Sequence, residues 1–146
     1  MTTWIGKPLI LAMHDYQLAE HGSSSGVRDE GLLESALARP RQLYAYGDPS
    51  PDLAALAATL VYGLARNHAF VDGNKRIAAA ACETMIELNG ACLHATDGEL
   101  LPIYIALADG SLSEEDFARW LRMHIRVNGN LHEPSQAYAP STRRRA

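Results

Sequence analysis

Apolar positions recur every three or four residues along most of this chain, the period of helices packed on one face. A first helix opens at Pro8, carries Ile10, Leu11, His14 and Leu18 at helical spacing, and stops at Gly22. Gly22-Ser23-Ser24-Ser25-Gly26 has the composition of a flexible loop. Asp29 caps a short second helix with Leu32, Leu33, Ala36 and Leu37, and Pro40 ends it, because a proline disfavours helical geometry just before itself. Leu43 to Pro51 reads as a loop whose tyrosines, Tyr44 and Tyr46, suit a surface that touches another molecule.

The strongest stripe comes next. Leu53, Leu56, Ala57, Leu60, Val61 and Leu64 place a third helix, from about Asp52 to Asn67, at the centre of the fold. A fourth begins after Gly73 and stops at Asn89-Gly90, with Ile77, Ala80, Ala81, Thr84, Met85 and Leu88 facing inward. Ala91 to Ala95 reads as a short extended connector. A fifth helix lies between about Glu99 and Ala108, where Pro102 forces either a late start or a kink. Ser113 caps a sixth, with Glu114, Glu115 and Asp116 in its first turn and Phe117, Trp120, Leu121, His124 and Ile125 on its apolar face. The pattern therefore predicts an all-α domain over residues 1–127, a compact bundle of about six helices. Residues 128–146, rich in Gly, Asn, Pro, Ser and Arg, read as a flexible tail.

Composition narrows the function. The chain has 146 residues, the size of one domain, and 47% of them are apolar. Its net charge is −4, and three of the thirteen cations are crowded at Arg143, Arg144 and Arg145. The rest of the chain lacks the basic face that backbone binding of nucleic acid requires, so direct nucleic-acid binding is not expected. Cys82 and Cys92 have no zinc-like spacing, and Cys82 reads as a small buried thiol. No leader and no apolar run of membrane-spanning length are visible, so a cytoplasmic, soluble protein with no membrane partner is expected.

The chemistry concentrates in one nonamer. His68 falls at the end of the third helix, and Asp72-Gly73-Asn74 precedes the fourth. This spacing sets a histidine beside a helix N-terminus, whose free N–H groups attract an anion. Gly73 removes bulk where a phosphate would approach. Lys75 and Arg76 stand in the first turn, where the helix dipole disfavours cations, and a bound phosphate would offset that. Asp72 offers a hard oxygen ligand for magnesium, and His68 suits a general base acting on a hydroxyl nucleophile. Phe70 should point into the core and pin the loop. The residues alone leave a second reading open, a plain helix–loop–helix turn with a structural histidine.

The nonamer, His-Ala-Phe-Val-Asp-Gly-Asn-Lys-Arg from His68 to Arg76, resembles the signature H-x-F-x-(D or E)-G-N-(K or G)-R of the Fic/Doc superfamily. The stretch Gly31 to Pro40 is similar to the second helix of its death-on-curing (Doc) toxins, and the similarity extends from about Leu9 to Ile125. The resemblance implies a bundle of six or so helices with the motif loop central, between two core helices. Adenylyl-transferring Fic enzymes carry proline, glycine and a final arginine where this chain has Ala69, Lys75 and Ala79, so the pattern matches the Doc branch.

That branch implies the toxin of a toxin–antitoxin module. It would transfer the terminal phosphate of ATP to a threonine of elongation factor Tu and so arrest protein synthesis. Carried over by position, His68 would be the base and Asp72 the Mg2+ ligand. Gly73 and Asn74 would form the anion nest, and Lys75, Arg76 and, two before the histidine, Arg66 would be the phosphate cations. The implied partner is a cognate antitoxin whose disordered C-terminal segment folds onto the toxin. A built-in inhibitor of the form (S or T)-x-x-x-(E or D)-(G or N) is matched only in part, by Ser25 and Asp29, since Glu30 fills the last place. Two alternatives remain: a Fic-type AMP transferase acting on a protein hydroxyl, and a non-catalytic interaction module.

Overall fold

The computed structural model describes residues 2–21 and 26–128. Six helices follow one another: α1 (Lys7–His21), α2 (Glu30–Tyr46), α3 (Leu53–Asn67), α4 (Asn74–Leu88), α5 (Asp97–Asp109) and α6 (Glu114–His124). Two three-residue strands, β1 (Ala91–Leu93) and β2 (Ile125–Val127), pair antiparallel with Ala91 opposite Val127 and Leu93 opposite Ile125. The predicted all-α bundle of about six helices is the observed one. The stretch expected to be a bare connector after α4 is β1, because the chain returning from α6 supplies its partner.

Helix α3 is the axle. Ten of its fifteen residues are buried, from Ala54 to Ala65, and it packs against α2, α4, α5 and α6. A helix buried on nearly every side needs small residues at its crossings, and Gly63 marks the tightest one. A Cβ there would lie 2.8 Å from Arg39 Cδ and 3.2 Å from Ala36 Cβ, so α2 crosses almost on the α3 backbone. Side-chain caps fix where four helices begin: Asp29 for α2, Asp52 for α3, Thr96 for α5 and Ser113 for α6. Thr96 and Glu99 form a full capping box.

Several expectations are corrected. Helix α2 does not stop at Pro40 but runs through it to Tyr46, so the anticipated loop from Leu43 begins only at Gly47. Pro40 gives up one backbone hydrogen bond, yet it is buried, Leu43 packs on the core and Tyr44 meets the Trp4 ring edge-on at 5.4 Å. Tertiary contact on both sides of the proline outweighs the missing bond. The tyrosines of this turn are exposed as expected, Tyr46 the more so. Helix α5 starts five residues before Pro102, at the Thr96 cap, rather than at the proline. The buried face of α4 is Ile77, Ala78, Ala81, Cys82, Met85 and Ile86; Ala80 and Thr84 are only half-buried, and Leu88 is exposed. The helix is rotated because α3 and α1 both claim it, from two sides. The expected stop of α1 at Gly22, most of the glycine–serine loop and the tail from 129 lie outside the described residues.

Candidate active site

The nonamer forms the turn between α3 and α4, so the central helix delivers its first residue and the start of α4 its last. His68 ends α3 in the left-handed conformation, φ 54° and ψ 48°, the one non-glycine residue with positive φ among those described. Its backbone carbonyl accepts from Arg28 Nε at 2.8 Å, and its side chain is exposed. The next two residues reverse direction: Ala69 and Phe70 are buried at 0% and 1% exposure. Phe70 thus enters the core as expected, and His68, just before the buried pair, stays exposed.

Three sets of bonds hold the loop. Asn74 reaches back and brackets Phe70: its Oδ1 accepts from the Phe70 N–H, and its Nδ2 donates to the Phe70 carbonyl, both at 3.0 Å. The chain entering α2 lies alongside, with Val71 N–H donating to the Gly26 carbonyl at 3.1 Å and the Ala69 carbonyl accepting from Arg28 and Asp29 N–H at 2.7 and 3.1 Å. From below, His14 of α1 stacks on Phe70, rings 3.9 Å apart and 19° from parallel, and its Nε2 lies 2.9 Å from the Asp72 carbonyl oxygen. A carbonyl oxygen only accepts, so this nitrogen carries the hydrogen.

Asp72, Gly73 and the first turn of α4 follow the buried pair. Asp72 is exposed, one carboxylate oxygen accepting from the Gly73 N–H at 2.8 Å. Gly73 has φ +81°, and a Cβ on it would come within 3.1 Å of Arg76 Nη2, so both conformation and space require glycine. No side chain caps α4, and its first turn holds no acid. The amides of its first turn therefore have no side-chain cap, and Lys75 is exposed and Arg76 half-buried beside them. This combination of open amides and cations can bind a polyphosphate.

The structure thus brings together His68, Asp72, Gly73, Asn74, Lys75 and Arg76 on one turn. Arg66 stands apart. Its guanidinium lies 5.8 Å from the Tyr62 ring centre, and it crowds Gly110, where a Cβ would meet Nη1 at 2.5 Å. Asp109 is held below the ordinary carboxylate range by its hydrogen bonds to Ser111 and, in smaller part, by Arg66. Arg66 therefore faces the α5–α6 turn. The side chain of Asn74 clamps the loop, so a nest of the kind expected at Gly73 and Asn74 would use their backbone N–H groups.

The sequence reading missed His14, Gln17 and Arg28. Gln17 Nε2 donates to the Arg76 carbonyl at 3.2 Å, one turn after His14 on the same face of α1. A histidine among the inward positions Ile10 and Leu11 was the available signal, since a buried imidazole demands a hydrogen-bond partner. No group of three or more His, Cys, Asp and Glu that could hold a metal occurs among the described residues. No described helix is long and apolar enough to cross a membrane.

Comparison with known proteins agrees with the motif. The model of the Fic/DOC family matches residues 4–86, which takes in α1 to α3 and most of α4. A protein named Toxin Doc from Mycolicibacterium smegmatis is 53% identical over 75 residues, 51% of this chain and 57% of that protein. The chain therefore matches little more than half the length of this relative. Protein kinase doc of Escherichia phage P1 is 30% identical over 113 residues, 77% of this chain and 88% of that protein.

Proposed function

This chain belongs to the Fic/DOC family, and from that membership and the shape of its motif loop we propose that it is a toxin of a toxin–antitoxin module, a transferase that moves the terminal phosphate of ATP to a protein hydroxyl. The acceptor is a translation factor of the elongation factor Tu kind, and its modification arrests protein synthesis in the cytoplasm. One observation carries the reading: α4 starts with no side-chain cap and no acid in its first turn, and the turn that leads into it bears an exposed His68 and an exposed Asp72, followed by an exposed Lys75.

The chemistry follows from that placement. The polyphosphate rests on the amides of the first turn of α4, with Lys75 and Arg76 neutralising its charge. His68 takes the proton of the acceptor hydroxyl as its oxygen bonds to the γ-phosphorus. The bond from that phosphorus to the β–γ bridging oxygen breaks, and ADP leaves. Such a transfer asks the protein mainly to position and to neutralise. Magnesium fits the donor set, because it usually takes one or two carboxylates together with phosphates and water, and Asp72 supplies one exposed carboxylate beside the cradle. When bound it would neutralise phosphate charge. Arg66 is turned toward Gly110, and Arg66→Ala should slow transfer less than Arg76→Ala.

Restraint comes from an antitoxin in trans, whose disordered C-terminal segment covers the toxin. The residues that would form a built-in inhibitor are engaged elsewhere: Asp29 caps α2 through the Leu32 N–H, and Glu30 pairs with Lys7 at 2.6 Å. Ser25 lies outside the described residues.

The test is isotopic. Purified protein, elongation factor Tu and magnesium are incubated in parallel with γ-labelled and α-labelled ATP. Label on the acceptor from the γ position alone is the expected result. Label from the α position would mean nucleotidyl transfer on the same fold and would overturn phosphorylation. No label from either would favour a binding module. His68→Ala and Asp72→Ala should abolish growth arrest at equal expression while leaving the helical circular dichroism intact.

A further inference from the structure

Nothing in the chemistry above uses His14, yet it is one of two buried polar side chains among the described residues, at 3% exposure. It sits in the middle of α1, 58 residues from Asp72 in sequence, and its hydrogen bond and its ring stacking both go to the motif loop. One holds the side chain of Phe70. The other holds the carbonyl of Asp72.

The second contact has a geometric consequence. In a trans peptide the C=O and the following N–H point in opposite directions. With the Asp72 carbonyl drawn inward to His14 Nε2, the Gly73 N–H must point outward. It does, for it donates to the exposed Asp72 carboxylate at 2.8 Å. One inward hydrogen bond therefore orients the Gly73 amide and, through it, the carboxylate that this amide holds. Glycine at 73 makes this control necessary, because at φ +81° it has no Cβ to oppose rotation of the 72–73 peptide. Gln17, holding the Arg76 carbonyl, steadies the other end of the same turn.

We infer that His14 is a positioning residue of this site: by donating Nε2–H to the Asp72 carbonyl it sets the direction of the 72–73 peptide and thereby, through the Gly73 N–H, the aim of the Asp72 carboxylate proposed to bind magnesium. The inference rests on the reading of the loop as a phosphoryl-transfer site. Loss of an outer partner that orients a metal ligand commonly lowers affinity or activity by about 10–100-fold.

His14→Phe keeps a ring to stack on Phe70 but cannot donate. It should lower kcat and raise the magnesium concentration for half-maximal rate, each by about 10–100-fold, while the KM for the acceptor protein changes little. His14→Gln, whose amide nitrogen can occupy the place of Nε2, should recover most of both. The shorter His14→Asn should not. A merely structural histidine would lower the melting temperature and the yield of active protein without moving the magnesium dependence. Amide hydrogen exchange gives a readout without turnover: Gly73 and Asn74 should exchange faster in His14→Phe and His14→Asn than in wild type or His14→Gln. If His14→Phe does not fold, the Gln and Asn pair decides. Equal magnesium dependence and equal exchange in that pair would overturn the inference. Should the wild type transfer no phosphate, the functional reading fails, and exchange at Gly73 still decides what His14 does to the loop.

Discussion

His68 occupies a backbone conformation that side chains resist, and it does so at the one place where its ring must stand clear of the core. A non-glycine residue in the left-handed region is destabilised by about 1 kcal/mol or more, and glycine relieves this. His68→Gly should therefore melt above His68→Ala, by roughly 1 kcal/mol in unfolding free energy, although neither supports growth arrest. Thermal melts of the two variants check it. Asn74 is expected to show the reverse pattern. Truncation to alanine leaves the Phe70 N–H and carbonyl without their partners, and a buried unsatisfied group costs about 1–3 kcal/mol. Denaturant unfolding of Asn74→Ala should show that loss. At this scale most was legible where the groups are neighbours: the imidazole, the carboxylate, the glycine and the cations of the proposed site lie within nine consecutive residues. It failed where partners are distant, since neither His14 nor Arg28 is near the nonamer in sequence, and their bonds to it appear only when the chain is folded.

Among the elements, α3 and its caps determine how well the site is held. Asp52 accepts from the Ala55 N–H at 2.9 Å and pairs with Arg122 of α6 through Nε at 2.6 Å and Nη2 at 3.0 Å. The hydrogen bond from Arg122 holds its carboxyl below the ordinary carboxylate range. A carboxyl whose pKa is lower folded than unfolded binds fewer protons in the native state. Its contribution is therefore complete above the unfolded pKa and fades as pH falls through the folded one. Asp52→Ala should cost about 1 kcal/mol near neutral pH, mostly as a lost cap because the ion pair is half-exposed, and the difference from wild type should shrink in acid. Gly63 tests the crossing of α2. Alanine is the better helix former by about 1 kcal/mol, but its methyl group would lie 2.8 Å from Arg39 Cδ and 3.2 Å from Ala36 Cβ. Overpacking of this kind typically costs about 1–3 kcal/mol, so Gly63→Ala should lower the melting temperature despite its propensity. The caps at Asp29 and Ser113 were legible because capping needs only neighbouring residues. Prolines misled for the opposite reason. At Pro40 and Pro102 the local rule is real, but packing of Leu43, Tyr44 and Leu100 comes from other parts of the chain.

At the scale of the molecule, one core built around α3 carries the loop, and the two short strands close the bundle at the far end of α4. Thr3 exchanges hydrogen bonds with the Asn89 side chain, at 2.7 and 2.9 Å, and the Asn128 N–H donates to the Gly90 carbonyl at 2.9 Å. The first and last described stretches therefore meet at a single turn. That turn lies a full helix from the motif loop, roughly 22 Å for the fifteen residues of α4 at 1.5 Å each. A circularly permuted chain, with residue 128 spliced to residue 3 and new ends opened in the exposed stretch between Pro49 and Ser50, should keep its circular dichroism and growth arrest. For the same reason, fluorophores or affinity handles anchored beside Asn89 would hang on the pole of the molecule away from the motif loop, and could report on events there without standing in their path.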